Sequence, residues 1–193
     1  MATFTGKSIL ICGVGGQGTL LMSKTLTAGL VQAGYDVKMS EVHGMAQRGG
    51  SVSTQVRYGE KVFSPIIGRG EADILVAFEK LEAARYSDLL KIGGTALIND
   101  YEVVPLPVSS GAAEYPQNIV EQMQRSFDVS VIPASTLAKG LGNIRCTNIV
   151  LLGALVRAFH LESIDWNAAL TESVPPKALA LNLAAFDAGY RFE

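Results

Sequence analysis

The sequence predicts an α/β protein: a mostly parallel sheet with helices on both faces and an antiparallel hairpin added to it. Three observations predict this. An apolar run, Ile9-Leu10-Ile11-Cys12, breaks into Gly13-x-Gly15-x-x-Gly18 and leads into an apolar period at Met22, Leu26, Leu30 and Ala33, which reads as strand, glycine turn and helix. A second uninterrupted apolar run, over 72–78, has the character of a parallel strand covered on both faces. Residues 51–58 alternate instead, with Val52, Thr54, Val56 and Tyr58 set against more polar neighbours, as in a strand with one wet face.

The totals are consistent with this class. At 193 residues, 48% hydrophobic and 18% charged, the chain is long enough to bury one core, and a single domain over 1–193 is the expectation. A net charge of −2 with scattered Lys and Arg argues against a nucleic-acid partner. Two widely spaced cysteines, Cys12 and Cys146, supply neither a disulfide framework nor a cysteine metal site, so no metal is expected on this chain. The longest apolar stretch, 149–156, is stopped by Arg157 and is too short to cross a bilayer, so no membrane partner is expected and a reducing, cytoplasmic location fits.

Taken in order, the first strand and its glycine turn lead into a helix closed at Ala33-Gly34, with glycine accepting the left-handed cap. Residues 35–40 read as a second strand parallel to the first, completing a βαβ unit. The alternating strand over 51–58 turns at Gly59-Glu60 into 61–64, the expected hairpin, which Pro65 ends. After the buried strand at 72–78, a helix over 79–90 and a short strand over 95–98 make a second βαβ unit. Residues 101–115 carry Pro105, Pro107 and Gly111 and read as an irregular connection.

Further on, a helix is expected over 116–125, an edge strand over 129–133 and a helix over 134–141. A long buried helix should run from about 146–148 to 160, with Gly153 in its middle marking close approach to another backbone. Ser163 is placed to cap a helix through Ser173 that turns Trp166 and Leu170 inward. Pro175-Pro176 then opens a last helix with a core stripe at Leu179, Leu183, Phe186 and Tyr190.

Two stretches hold the candidate site. In the turn, Gly13 permits tight bending, Gly15 close approach of a bound group and Gly18 close helix packing, with Gly16 and Gln17 between them. The helix N-terminus behind it favours an anion, but the same glycines also serve bare strand-to-helix packing, and the turn alone supports either use. The second stretch runs from Ser40 and Glu41 through His43, Gly44, Gln47, Arg48, Gly49 and Gly50 to Ser51, dense in polar groups where ligands bind in open α/β sheets. It is expected to lie beside the glycine turn. Glu41 also stands where a dinucleotide fold keeps its ribose-binding acid.

Together with Ser64-Pro65, Gly70-Glu71-Ala72-Asp73 and Phe78-Glu79, these two stretches resemble the gamma subunit or domain of 2-oxoacid:ferredoxin oxidoreductases. The His43-Gly44-Met45-x-Gln47-Arg48-Gly49-Gly50 form is similar to the small subunits of the indolepyruvate branch, and Asn148 to Leu155 to their late helix. The resemblance implies a Rossmann-like fold and a heteromeric enzyme for oxidative decarboxylation of a 2-oxoacid, indolepyruvate or another arylpyruvate, to its acyl-CoA. It places thiamine diphosphate and 4Fe-4S clusters on a large partner subunit, with ferredoxin as electron acceptor and coenzyme A as co-substrate. This chain is then inactive alone, binds no cofactor of its own, and completes the partner's active-site or coenzyme A region. On this resemblance Arg48 offers a fork to a carboxylate or phosphate, and Gln47 or His43 a hydrogen bond. Two other readings stay open: an independent nicotinamide- or flavin-binding oxidoreductase, and a noncatalytic binding module.

Overall fold

The computed structural model describes residues 6–44 and 49–192. Six strands form one sheet: β1 (Lys7–Val14), β2 (Asp36–His43), β3 (Ser51–Gly59), β4 (Ala72–Ala77), β5 (Leu90–Asn99) and β6 (Asp128–Ile132). Their spatial order is β2-β3-β1-β4-β5-β6. β1, β4, β5 and β6 pair in parallel, while β3 runs antiparallel to both of its neighbours, β1 and β2. The sheet is therefore mixed and mostly parallel, as expected.

Two expectations about its left half are corrected. β2 does run in the direction of β1, but it does not lie beside it, because β3 is inserted between them with Val14 opposite Ser51 and His43 opposite Val52. The hairpin joins β2 to β3 rather than 51–58 to 61–64, and residues 61–64 form no strand. The physical reason is visible at Asp36, whose carboxylate accepts the Val62 N–H at 2.8 Å and holds that segment against the start of β2 as a loop.

Helices cover both faces. α1 (Thr19–Gln32) buries Met22, Leu26 and Leu30 on one of them, with Ala33 exposed beyond its end. The same face receives α5 (Ala134–Gly140), α6 (Thr147–Ala158), α7 (Trp166–Ser173) and α8 (Pro176–Tyr190), packed on Ile9, Ile11, Ile74 and Val76. The opposite face, through Leu10, Cys12, Leu75 and Ala77, takes α2 (Lys80–Arg85) and α4 (Ile119–Met123). Alternate residues of β1 and β4 thus point to two different cores, the period of a strand. The short α3 (Leu106–Ser109) lies in the irregular connection after β5.

Several boundaries differ from expectation. α2 ends at Arg85 and passes into a 3-10 turn over Ser87–Leu89, so 79–90 is not one helix. β5 starts at Leu90 rather than 95, with a bulge that lets Ala72 face Leu90 and Ile74 face Thr95. α7 is capped by Asp165, whose carboxylate accepts the Ala168 N–H at 3.0 Å, rather than by Ser163. Gly153 does mark a close approach, since a Cβ there would lie 2.1 Å from the Phe186 carbonyl oxygen of α8.

Candidate functional site

The glycine turn is built by three local bonds and two distant ones. Gln17 folds back so that its Oε1 accepts the Val14 N–H at 2.7 Å, while its own N–H donates to the Val14 carbonyl at 3.1 Å. Gly18 caps α1 with φ +90°, a left-handed conformation that costs an L side chain 1–2 kcal/mol or so, and its carbonyl accepts the Met22 N–H at 3.2 Å. Across the turn, the Gly15 N–H donates to the Gly50 carbonyl at 2.8 Å and the Gly49 N–H to the Gly15 carbonyl at 3.1 Å. The Gly49-Gly50 end of the second stretch therefore lies beside the first, joined to it backbone to backbone.

Other site residues are placed less closely. Ser40 is half-buried on β2 opposite Gln55, and Glu41, opposite Thr54, is exposed together with His43 and Gly44. Because β3 intervenes, β2 stands two strand spacings, about 10 Å, from β1. Glu41 is thus not beside the glycine turn, the position a ribose-binding acid would need. Gln47 and Arg48 lie outside the described residues.

The connection after β1 passes to one face through α1 and that after β4 to the other through α2, so the sheet reverses its winding between these neighbouring strands. Ligands of open α/β sheets bind at such a point, outside the carboxyl ends of the strands. A crevice of about 190 Å³ lies there. Gly16 and Gln17 line it from β1, Phe78 from β4, and Asn99 and Tyr101 from β5. Ser135 of α5 and the entrance to α6, with Ile144, Arg145 and Thr147, complete it.

Asn99 organises the floor of this crevice. Its Nδ2 donates to the Phe78 carbonyl at 3.0 Å and to Ser135 Oγ at 2.9 Å, and its Oδ1 accepts the Ser135 N–H at 3.2 Å. One buried side chain thereby ties the ends of β4 and β5 to α5. Asn148 does similar work above, donating to the Gly18 carbonyl at 3.2 Å and accepting the Ile149 N–H at 2.9 Å. Neither α1 nor α6 has an acidic residue in its first turn, but only the α1 end is open: at α6 the Thr147 N–H bonds the Ile144 carbonyl and the Ile149 N–H bonds Asn148 Oδ1. The α1 N-terminus and the Arg145 guanidinium therefore offer positive charge to the crevice. Its walls are apolar, and its electrostatics suit an anion with an apolar body.

Beneath the turn, two carboxylates are buried on α2. Glu79 caps the helix, accepting the Leu81 N–H at 3.0 Å and the Glu82 N–H. Burial raises its pKa, these N–H groups oppose the rise, and neighbouring Glu82 adds to it. Glu82 accepts the Arg85 Nε–H at 2.9 Å and the Ser51 hydroxyl.

The sequence model of the pyruvate ferredoxin/flavodoxin oxidoreductase family matches residues 8–192. The chain belongs to this family. Within it, the chain is 40% identical over 190 residues to the indolepyruvate oxidoreductase subunit IorB of Pyrococcus horikoshii, covering 95% of this chain and 94% of that one. It is 32% identical over 193 residues to the 2-oxoglutarate synthase subunit KorC of Methanothermobacter marburgensis, covering 95% and 94%. Among solved structures, the gamma subunit of a keto/oxoacid ferredoxin oxidoreductase from Geobacter sulfurreducens superposes with a TM-score of 0.69 at 25% identity, covering 95% and 96%. The chain is thus a small subunit of the 2-oxoacid ferredoxin oxidoreductase family, as the two motif stretches imply.

Sequence reasoning missed Asn99, Tyr101, Ser135 and Arg145. They lie in three separate segments with ordinary local chemistry, Asn99 and Tyr101 together at the end of β5, and their convergence depends on strand order. Of the crevice's lining, Gly16 and Gln17 of the glycine turn and Phe78 of the motif Phe78-Glu79 carried a signal.

Proposed function

We propose that this chain is the companion subunit of a thiamine diphosphate and iron–sulfur dependent 2-oxoacid ferredoxin oxidoreductase. An arylpyruvate such as indolepyruvate is the leading substrate, by likeness to the IorB relatives. The observation that carries the reading is the crevice at the winding reversal, where the uncapped N-terminus of α1 and Arg145 meet beside the Gly15–Gly50 junction. It suits the anionic part of coenzyme A, held at the mouth of the partner's active site.

Its surroundings suit a partner as well. Leu20, Val42, Tyr101, Val104, Leu106 and Ile144, all at the carboxyl end of the parallel strands, are large apolar side chains left exposed. Covering them against a large subunit would bring the crevice and the partner's reacting centre together. His43, Gly44, Gln47 and Arg48 are assigned to the same junction by the family resemblance.

The donor set of this chain does not fit the cofactors of the reaction. Cys12 and Cys146 are both buried, and among the described residues no group of three or more His, Cys, Asp or Glu could hold a metal ion. Burial pushes the Cys12 thiol well up, with Glu82 and Glu79 adding to the rise, and its Sγ–H donates to the Glu82 carbonyl at 3.5 Å. The clusters therefore belong to the partner in this reading, which the family resemblance also gives the thiamine and the contact with ferredoxin, and in it the domain 1–193 is one unit of a cytoplasmic complex. No helix among the described residues is long and apolar enough to cross a membrane.

The test is anaerobic purification of the tagged chain from its native host. A large brown companion should come with it, and the pair should reduce ferredoxin with indolepyruvate in a thiamine- and coenzyme A-dependent way. A colourless chain that comes alone and binds NADH tightly by calorimetry overturns the proposal in favour of an independent nucleotide-binding oxidoreductase.

A further inference from the structure

The β1–β3 ladder ends where Val14 faces Ser51. Beyond it, among the described residues, the two strands' extensions are tied by the pair of backbone bonds between Gly15 and Gly49-Gly50. Glycine residues hold such a junction weakly, because they bring no side chain to pack and lose the most conformational freedom on ordering. Something nearby must fix where Gly50 stands.

That anchor comes from the other side of the sheet. The Ser51 hydroxyl donates to Glu82 Oε2 and lies 3.2 Å from the Tyr86 hydroxyl. Glu82 is only 4% exposed and is itself held at several points. Its second oxygen accepts Arg85 Nε–H, its N–H donates to Glu79, and its carbonyl accepts the Cys12 thiol at 3.5 Å. A buried carboxylate is costly unless paired and hydrogen-bonded. Here one of its strong acceptor sites is spent on a single hydroxyl at the first residue of β3, one peptide from the glycine junction.

We infer that Glu82, acting through Ser51, is a positioning residue that sets the Gly15–Gly16 turn for the ligand at the crevice. The inference rests on the functional reading above, in which that ligand is coenzyme A. Gly16 lines the crevice, and Gly15 is the residue that Gly49-Gly50 holds. The path from Glu82 to the ligand is thus two side-chain atoms and a short run of glycine backbone.

The test uses amide hydrogen exchange on the full chain and kinetics on the reconstituted complex. Ser51→Ala should speed exchange of the Gly15 and Gly49 amides at least tenfold, with amides in the core of α6 unchanged. Ser51→Thr, which keeps the hydroxyl, should return them to within threefold of wild type. Glu82→Ala should match Ser51→Ala at these two amides, and the double variant should add nothing; Ser51→Ala carries the test alone if the buried carboxylate is needed for folding. In the complex, Ser51→Ala should raise KM for coenzyme A fivefold or more with kcat within twofold, a split that general destabilisation does not produce. Exchange within threefold of wild type at both amides overturns the inference, as does an unchanged KM in a complex whose wild type depends on coenzyme A. A wild-type complex without coenzyme A-dependent turnover overturns the functional reading instead, and the exchange data then decide the anchoring on their own.

Discussion

Gly153 of α6 and Gly189 of α8 each sit against the other helix's backbone: a Cβ on Gly153 would stand 2.1 Å from the Phe186 carbonyl oxygen, and one on Gly189 1.8 Å from that of Val150. The two helices meet without intervening side chains, and neither carbonyl can yield as a flexible side-chain tip could. Gly153→Ala should therefore destabilise the chain by roughly 1–3 kcal/mol, despite the gain of about 1 kcal/mol in helix propensity. Urea denaturation at neutral pH measures this, and a neutral or stabilising result would show that the helices can separate freely.

Trp166 anchors α7 against α1. Its Nε1–H donates to the Leu161 carbonyl at 2.9 Å, its ring stacks on Phe186 at 6.0 Å, and a Cβ on Gly29 would lie 2.7 Å from the ring. Trp166→Phe keeps an aromatic ring but removes one of the two hydrogen bonds that the Leu161 carbonyl accepts, leaving the one from the Ile164 N–H at 3.2 Å, with an expected cost of about 0.5–1.5 kcal/mol. Because this is the chain's single tryptophan, unfolding of the variant must be followed by circular dichroism rather than by its fluorescence.

Asp73 gives the protein a specific acid sensitivity. Burial works against its charge, but Lys91, the Ser8 N–H at 2.8 Å and Lys7 at 3.5 Å outweigh it and hold the carboxyl below its ordinary 3.8. A carboxyl with a lowered folded-state pKa adds stability that is complete above the unfolded value and is lost as pH falls through the folded one. Asp73→Asn should thus be less stable than wild type at pH 7, and the difference should shrink on acidification through and below pH 3.8. A difference that stays constant over that range would mean that the charge contributes nothing.

Arg145 is the exposed cation at the crevice. Losing a charge-assisted hydrogen bond to a phosphate or carboxylate costs about 1.5–3 kcal/mol, so Arg145→Ala should raise KM for coenzyme A by about tenfold or more. Its melting temperature should stay close to wild type, since the side chain is exposed. Steady-state kinetics of the reconstituted complex and a thermal melt of the chain separate the two effects.

What could be read from the sequence was what is local. The run from Ile9 to Cys12, the glycines and the period at Met22, Leu26 and Leu30 lie within one strand and one helix, and the structure has both. Gly153 was legible for the same reason, a residue whose oddity within its own helix marks a contact. The place of β2 was not legible, because residues 51–58 could pair with either flank and the choice turns on Asp36 holding Val62 away from the sheet. The early end of α2 was hidden too: Ser87 Oγ–H donates back to the Ala84 carbonyl and the chain tightens into a 3-10 turn. For the site, only the Gly49-Gly50 end of the second stretch lies beside the glycine turn, and the rest of the crevice was not legible, since Asn99, Ser135 and Arg145 meet only once the strands are ordered in space.

The insertion of β3 between β1 and β2 also dictates an order of assembly. A nascent chain that has emerged only through His43 has made β1, α1 and β2, yet β2 has no native neighbour to pair with until Gly59 has followed. The most local native pairing is then the β2–β3 hairpin, and β1 joins the other edge of β3 across the whole of α1 and β2. Parallel pairing of β1 with β4 comes later still, across more than a quarter of the chain. The sheet therefore grows from the β2–β3 hairpin towards β6, and the glycine junction closes when β1 docks on β3, before the parallel half of the sheet is added.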